Sequence, residues 1–179
     1  MNSPTPTRKA VFLDRDGTII KDANYLSDPA NVVLLPNVAQ ALTLLHDAGF
    51  LLFLFTNQSG VGRGLFPIET VYRCNDRMLE LLGLPRPVFE DICIAPESPS
   101  VPSIYRKPNP RFINECVTKY GLNRSLSWMV GDKLSDAETG WNACIMSALI
   151  GNNHVHTKTG TPFYESLFAF AQAATSKPD

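Results

Sequence analysis

Short, continuous apolar runs alternate along this chain with segments in which apolar residues recur at helical spacing. The apolar runs are partly β-branched or aromatic, which is typical of strands buried on both faces of a sheet. They are AVFL (10–13), FLLFLF (50–55), DICI (91–94), SWMV (127–130) and MSALI (146–150). Each run is interpreted as one strand.

The segments between these runs predict helices, most of which stop at a glycine. Glycine is common just past a helix C-terminus because it adopts the left-handed conformation without strain. The predicted helices are 38–48 before Gly49, 67–82 before Gly83, 111–120 before Gly121, and 164–174. The alternation predicts an α/β fold: a doubly wound, Rossmann-like parallel sheet with helices on both faces.

Size, composition and charge fit one globular domain. The chain has 179 residues, of which 44% are hydrophobic and 18% charged, and its formal net charge is -1. This balance gives no sign of a surface for nucleic acid or anionic membranes. The run 50–55 is too short to span a bilayer, and the first residues lack the apolar segment of a secretory signal. We expect a flexible tail over 1–8, a single domain over 9–179 and a cytoplasmic location.

The cysteines and histidines do not form a recognisable metal motif. The four cysteines are scattered and no C-x-x-C pair occurs, which argues against both a disulfide framework and a cysteine-based zinc site; they are Cys74, Cys93, Cys116 and Cys144. His154 and His156 form an H-x-H pair without visible partner ligands. An exposed loop pair is therefore the favoured interpretation of these histidines.

Polar clusters follow four of the predicted strands. DRDGT (14–18) follows the first strand and TNQSGVGRG (56–64) the second; the third leads into a loop ending in YRKPNP (105–110), and GDKLSD (131–136) follows the fourth. Ligands of open α/β sheets bind outside the carboxyl ends of the strands. Carboxylates, hydroxyls, glycine-rich turns and cations should therefore meet at one rim.

The residue types at this rim indicate phosphoryl chemistry. Asp14 and Asp16, joined by Asp132, would form a costly anion cluster unless a cation neutralised them, and oxygen-only ligands favour Mg²⁺. The cations of the third cluster and the hydroxyl and amides of the second could cradle a phosphoryl group. One carboxylate could be the nucleophile, while its neighbour protonates the leaving oxygen and later activates water.

These four clusters resemble the motifs of the haloacid dehalogenase-like phosphatases. The sequence is similar in particular to the subgroup with heptose-bisphosphate phosphatase and histidinol-phosphate phosphatase. That subgroup shows D-x-D-G-T/V, T-N-Q-S-G-(x)-x-R-G, C-R-K-P-x-P and G-D-K-x-x-D. The likeness runs from about residue 9 to TKTGTP (157–162), and four motifs in order are highly specific.

The resemblance implies a role for each motif residue. Asp14 would be the nucleophile and Asp16 the general acid and base. The implied magnesium ligands are Asp14, the main-chain carbonyl of Asp16, and Asp132, with Asp136 supporting them. The residues implied to contact the phosphoryl group or the rest of the substrate are Thr56, Asn57, Lys107, Arg106, Lys133 and Arg63. Asp22 and Tyr25 fall on the subgroup's D-x-G-Y loop, although the intervening residues differ.

One departure concerns a zinc loop of the form C-x-H-x(n)-C-x-C that the subgroup often carries before R-K-P. Cys93 occupies the first position, but Ala95 replaces the histidine, and Ser103 and Tyr105 stand near the later cysteines. One thiolate cannot make a structural zinc site, which needs four ligands. We expect Mg²⁺ as the cofactor and no zinc.

The resulting prediction is a Mg²⁺-dependent phosphomonoesterase that forms an aspartyl-phosphate. Its expected partner is a small sugar (bis)phosphate, such as D-glycero-D-manno-heptose 1,7-bisphosphate, and neither nucleic acid nor a membrane. The segments between the motifs are too short for a cap domain. Histidinol phosphate, whose amine would want a carboxylate such as Glu97, and a polynucleotide 3′-phosphate remain alternatives. A phospho-accepting receiver domain or a silent binding domain is the non-enzymatic alternative.

Overall fold

A single parallel sheet forms the centre of the computed structural model, which describes residues 7–151 and 160–176. Six strands in those ranges lie in the order β3-β2-β1-β4-β5-β6, and every pair is parallel. They are β1 (Lys9–Leu13), β2 (Phe50–Asn57), β3 (Asp91–Ala95), β4 (Trp128–Gly131), β5 (Met146–Ile150) and β6 (Phe163–Tyr164). The chain thus begins in the middle and builds outward to each edge in turn, which is the doubly wound arrangement.

Helices connect the strands. They are α1 (Val38–Asp47), α2 (Ser59–Gly62), α3 (Ile68–Leu82), α4 (Arg111–Tyr120), α5 (Leu134–Asn142) and α6 (Leu167–Thr175). Gly83 and Gly121 follow α3 and α4 with φ of 62° and 63°, as the sequence predicts for glycines past a helix end. Among the described residues, no helix is long and apolar enough to cross a membrane.

Two apolar cores lie on opposite faces of the sheet because side chains alternate along each strand. Val11 and Leu13 of β1 belong to the core that also contains the buried residues of α1, α3 and α6. Phe12 belongs to the other core, where its ring stacks on Phe53 at 4.7 Å and meets Phe112 of α4 edge-on. Helices therefore cover both faces, and the predicted fold class is confirmed.

Five strands and three helices agree closely with the sequence-based assignment, whereas the C-terminal region needs a correction. The helix predicted at 164–174 begins only at Leu167, because Phe163 and Tyr164 pair with β5 as a two-residue strand. The short helix α2 and helix α5 were not predicted. The Asp136 carboxylate in the first turn of α5 accepts the Lys133 backbone N–H at 3.0 Å and caps the helix. The segment has few apolar residues, so its sequence does not show the spacing that predicted the other helices.

The connections leave no room for a cap domain. Within the described residues, β1 and β2 are joined by a loop, one 3₁₀ turn and α1, and β2 and β3 by α2 and α3. The predicted boundary between tail and domain stays a prediction; Arg8 already pairs with Leu122, and residues 1–6 lie outside the described residues. His154 and His156 lie outside them as well.

Candidate active site

The first strand places Asp14 at the rim of the sheet. Its backbone N–H donates to the Val130 carbonyl of β4 at 3.0 Å, so pairing of the two central strands extends one residue past β1. The turn that follows requires glycine at position 17. Its φ is 84°, and an added Cβ would lie 2.3 Å from a carboxylate oxygen of Asp132. The backbone of one motif is therefore packed directly against the carboxylate of another.

Three carboxylates meet between β1 and β4. Asp14, Asp132 and Asp136 each contribute one oxygen to a group in which all the atoms lie within 4.8 Å of one another. Gly131 permits this approach, because an added Cβ would lie 2.2 Å from Asp136. The resemblance implied Asp14, Asp132 and the main-chain carbonyl of Asp16 as metal ligands, with Asp136 in support, and the structure brings the three carboxylates together.

Lys107 is the cation of the cluster. Its Nζ donates to Oδ1 of Asp14 at 2.6 Å and to Oδ1 of Asp136 at 2.5 Å, and the residue is only 4% exposed. Burial alone would lower the pKa of Lys107, but the carboxylates of Asp136 and Asp14 outweigh it and raise that pKa. The lysine therefore carries a charge inside the protein.

The cluster contains more negative than positive charge. Burial raises the pKa of Asp14 against the opposing effect of Lys107. Burial, followed by the charge of Asp14, raises the pKa of Asp132 to about 7. Oδ1 of Asp132 is buried without a hydrogen-bond partner. An unpartnered carboxylate oxygen among oxygen ligands fits a hard divalent cation such as Mg²⁺.

Asp16 lies beside this cluster, and its carboxylate is held by neighbouring side chains. Its Oδ2 accepts from Nε2 of Gln58 at 2.8 Å and from Oγ1 of Thr56 at 3.4 Å. Both carboxylate oxygens also accept from the guanidinium of Arg15 at 3.0 Å. The side chain of Asp16 is not part of the three-carboxylate group, and its predicted contribution to a metal site is through the main-chain carbonyl.

Asn57 has a contact that the sequence did not indicate. Its Oδ1 accepts the backbone N–H of Lys107 at 2.9 Å, and its Nδ2 donates to the Lys107 carbonyl at 3.2 Å. The side chain that was predicted to contact the phosphoryl group thus clamps the backbone of Lys107. The end of β2 and the loop before α4 are joined by this amide.

The other predicted cations, Lys133, Arg63 and Arg106, contact loops next to the motifs. Lys133 donates to Asp22 at 2.9 Å, and the guanidinium of Arg63 lies 5.9 Å from the ring centre of Tyr25. Both cations therefore contact the loop that follows the first motif. Arg106 is half-buried and borders, with Lys107, a cavity of about 430 Å³ on the side of the proline-rich loop.

A carboxylate closes the proline-rich loop between β3 and α4. Oε1 of Glu97 accepts the backbone N–H groups of Ile104 and Tyr105 at 3.1 and 2.8 Å. The loop also touches α2, because the Gly62 N–H donates to the Pro96 carbonyl at 2.9 Å. Glu97 therefore fastens the two ends of the loop just before Arg106 and Lys107.

Cys93, at the position where the resemblance would begin a zinc loop, is a buried thiol. It is 8% exposed, and burial, reinforced by the charge of Glu97, raises its pKa to about 12. Thiolate is the form of cysteine that reacts and that binds metals, so burial disfavours both roles.

Sequence reasoning missed two residues that hold the site together, Arg15 and Gln58, and it considered Glu97 only as a carboxylate for a substrate amine. Arg15 and Gln58 lie inside the recognised motifs, so their positions carried a signal that pointed to the rim. The role of Glu97 depends on how an irregular loop closes, for which the local sequence gives no pattern.

The comparisons with known proteins agree with this geometry. The family model for haloacid dehalogenase-like hydrolases matches residues 25–143. D-glycero-D-manno-heptose-1,7-bisphosphate 7-phosphatase of Chlorobaculum tepidum is 33% identical, covering 82% of this chain and 80% of that protein. The D-glycero-beta-D-manno-heptose-1,7-bisphosphate 7-phosphatase of Mesorhizobium japonicum is 38% identical over 77% of this chain and 67% of its own.

A solved structure gives the same result. D,D-heptose 1,7-bisphosphate phosphatase from B. bronchiseptica, complexed with magnesium and phosphate, superposes with a TM-score of 0.83 and 29% identity, covering 93% of this chain and 97% of that one. The chain belongs to the haloacid dehalogenase-like hydrolase family. Within that family it is a phosphatase.

Proposed function

We propose that this phosphatase is a Mg²⁺-dependent monoesterase that acts on a sugar bisphosphate through a phosphorylated Asp14. The observation that carries the proposal is the buried group formed by Lys107, Asp14 and Asp136, beside which Asp132 keeps an unpartnered oxygen. Such a group suits an anionic substrate that arrives together with a metal ion.

In the first step, a carboxylate oxygen of Asp14 attacks the phosphorus of the ester. The bond between phosphorus and the sugar oxygen breaks, and Asp16 gives its proton to that oxygen as it leaves. Lys107 holds Oδ1 of Asp14 and so orients the nucleophile. Asp14, Asp132, Asp136 and the Asp16 carbonyl would hold Mg²⁺, which supplies positive charge beside the transferring group.

In the second step, water attacks the phosphorus of the acyl phosphate, and Asp16 takes the proton of that water. The bond between phosphorus and the Asp14 oxygen breaks, which releases inorganic phosphate and restores both carboxyl groups. Asp16 is suited to this exchange because its carboxylate is fixed by Thr56 and Gln58 at the same rim. The protein thus begins and ends the cycle in one protonation state.

A heptose 1,7-bisphosphate is the favoured substrate, by likeness to the named relatives. The rim cations Arg106, Lys133 and Arg63 support a substrate with a second anionic group. The near-neutral chain, by contrast, offers little to a polynucleotide backbone.

Histidinol phosphate is the second candidate, because the bifunctional histidine-biosynthesis protein of Legionella pneumophila (strain Lens) is 30% identical over 82% of this chain. This chain spans only 42% of that protein. The structure weakens the candidate in one respect. Oε1 of Glu97, the carboxylate that could have met the substrate amine, is bonded to the amides of Ile104 and Tyr105, and its Oε2 is buried.

The test has two arms. The first compares kcat/KM for a heptose 1,7-bisphosphate, histidinol phosphate and a 3′-phosphorylated oligonucleotide, with Mg²⁺ and with EDTA. We expect the bisphosphate to lead by more than about tenfold, which equals about 1.4 kcal/mol of transition-state binding. A tenfold preference for another substrate overturns the substrate assignment and leaves the mechanism standing.

The second arm concerns the nucleophile. Asp14→Asn should abolish turnover of every phosphate ester without unfolding the protein, and labelled phosphate should remain on Asp14 after rapid quenching of the wild-type reaction. Asp91→Asn is the matched control, because Asp91 is paired with Lys119 on the exposed surface and is outside the metal group. Substantial turnover by Asp14→Asn excludes the covalent mechanism.

A further inference from the structure

Arg15 lies between the two catalytic aspartates of the first motif, yet it does not face the solvent side of the site. Its side chain is among the largest that are fully buried, with 0% exposure. A guanidinium cannot release its proton in a protein, so a buried one must be hydrogen-bonded to be tolerated. The positions of its partners therefore indicate what the charge is used for.

The partners of Arg15 are Asp16 on one side and helix α3 on the other. Nε and Nη2 donate to the two carboxylate oxygens of Asp16, each at 3.0 Å, which is a two-point grip that fixes the carboxylate plane. Nη1 donates to Oδ1 of Asn75 at 2.9 Å. Asn75 is 4% exposed and lies on the buried side of α3.

Asn75 consequently fixes Nη1 of the same Arg15 guanidinium whose Nε and Nη2 hold Asp16. The guanidinium is rigid, so its orientation at Asn75 determines where Nε and Nη2 point. Gln58 and Thr56 hold Oδ2 of Asp16 from the β2 side. Asp16 is thus bounded by β2 on one side and, through Arg15, by α3 on the other.

We propose that Arg15 and Asn75 are positioning residues for the general acid and base Asp16. They do not touch substrate; Asn75 acts through Arg15, and Arg15 acts through Asp16. This inference rests on the proposed function, in which Asp16 protonates the leaving oxygen. A purely structural role, in which the pair only fastens α3 to the sheet, is the competing explanation.

The leaving group distinguishes these explanations. A sugar or alkyl oxygen needs a proton from Asp16 as it leaves, whereas p-nitrophenolate is stable enough to leave without one. Loss of positioning should therefore slow alkyl phosphates much more than p-nitrophenyl phosphate. A loss of fold would slow both substrates equally.

The main variant is Asn75→Leu, which removes the acceptor and leaves Arg15 in place. We expect kcat for an alkyl or sugar phosphate to fall about 10- to 100-fold, a fraction of the full effect of a general acid. We expect kcat for p-nitrophenyl phosphate to change less than about threefold, with KM little altered for either. Asn75→Asp, which keeps an acceptor oxygen for Arg15, should restore most of the lost rate.

The matched control is Asn114→Leu. Asn114 of α4 accepts from Nη1 of Arg124 at 2.8 Å, so it makes the same kind of bond from a helix outside the motifs. We expect that variant to retain the wild-type ratio between the two substrates. If Asn75→Leu does not fold, Asn75→Ser and Arg15→Lys are measured in the same way, with thermal unfolding as the check.

The outcomes separate this inference from the proposed function. Asp16→Asn should show the strongest leaving-group dependence, and if it shows none, the assignment of Asp16 as the acid fails. If Asp16→Asn shows it but the Asn75 and Arg15 variants slow both substrates equally, or slow neither, only the positioning role is overturned.

Discussion

Two regions of this protein contain half-buried or buried carboxylates, and they stabilise them in different ways. At the rim of the sheet, burial and the charge of Asp14 raise the pKa of Asp132 to about 7, and one of its oxygens has no partner. In the proline-rich loop, burial works against the charge of Glu97, but N–H groups of the loop outweigh it and lower the pKa of that residue. The three rim carboxylates therefore favour a nearby cation, whereas Oε1 of Glu97 is bonded to two backbone N–H groups and its Oε2 is buried without a partner.

The difference shows how the same functional group can serve chemistry or structure. Asp14, Asp132 and Asp136 repel one another, and a single lysine does not neutralise them. That imbalance favours a cation, as the proposed Mg²⁺ site requires. Glu97 accepts two backbone bonds and shapes the loop that precedes Arg106 and Lys107. A carboxylate supplied with N–H donors has no comparable tendency to collect a cation.

Among the changes that test this comparison, the largest fall in activity should come from removing Lys107, the cation of the three-carboxylate group. Lys107→Met keeps most of the side-chain volume but removes the charge that holds Asp14 and Asp136. We expect kcat to fall on the order of 100- to 1,000-fold, as for the loss of one preorganised donor at a transition state. Steady-state kinetics would measure it.

The matched control for that change is Lys119→Met. Lys119 also pairs with an aspartate, Asp91, at 2.9 Å, but on the exposed surface. It should alter kcat little, because exposed ion pairs contribute about 0–1 kcal/mol. A rise in KM without a fall in kcat for Lys107→Met would contradict the role assigned to the rim lysine.

The next effect concerns the metal. Asp132→Asn removes the carboxylate that has the unpartnered oxygen, and it should raise the Mg²⁺ concentration for half-maximal activity by about 10- to 100-fold, since even residues behind metal ligands have effects of that size. Excess Mg²⁺ should restore part of the rate. Activity measured against Mg²⁺ concentration would test this, and an unchanged half-saturation would remove Asp132 from the metal site.

A smaller effect should appear in the pH dependence of the free energy of unfolding. The pKa of Asp132 is raised from 3.8 to about 7 in the folded protein, so folding favours its protonated form. Without metal, this residue's contribution to stability is therefore present below pH 4 and lost as pH rises through 7. We expect Mg²⁺ to raise Tm more at pH 8 than at pH 5. Equal Tm shifts at pH 5 and pH 8 would argue against a metal at Asp132.

A still smaller effect is expected in the loop. Glu97→Ala removes the acceptor of two backbone N–H groups and should destabilise the protein by about 1–3 kcal/mol, measured by chemical unfolding. Glu97→Gln, which keeps an acceptor oxygen, should lose less. Glu80→Ala, which breaks an exposed pair with Arg77, should change little. If Glu97→Ala has no more effect than this control, the loop is held by other contacts.

Zinc chelation should not change activity or stability, because we expect the protein to contain no zinc. Glu97 closes the loop with backbone bonds, and Ala95, Ser103 and Tyr105 stand where a zinc loop would have its other ligands. Protein prepared without added metal should contain no stoichiometric zinc by elemental analysis. One equivalent of tightly bound zinc would refute this prediction and direct attention to the histidines near residue 155.

The sequence predicted the strands and helices that have a repeated apolar pattern and the site residues that belong to motifs. Continuous apolar runs located the buried strands, and the positions of Asp14 and Asp132 at strand ends, with Lys107 in the loop after the third strand, indicated a shared rim. Contacts between residues that are far apart in the sequence were harder to predict. Nothing local shows that the amide of Asn57 holds the backbone of Lys107, or that Arg15, a residue type usually found at the surface, is fully buried.

The clamp between Asn57 and Lys107 also has a consequence for how activity arises during folding. It joins residues 50 positions apart, and the ion pair of Lys107 with Asp14 joins residues 93 apart. Contacts of such long sequence separation are slow to form, because a large loop must close before they contribute. A chain with only its local helices and turns formed does not yet have Asp14 beside Lys107. Regain of phosphatase activity after dilution from denaturant would therefore report completion of the central sheet, and it should lag behind the regain of helical circular dichroism.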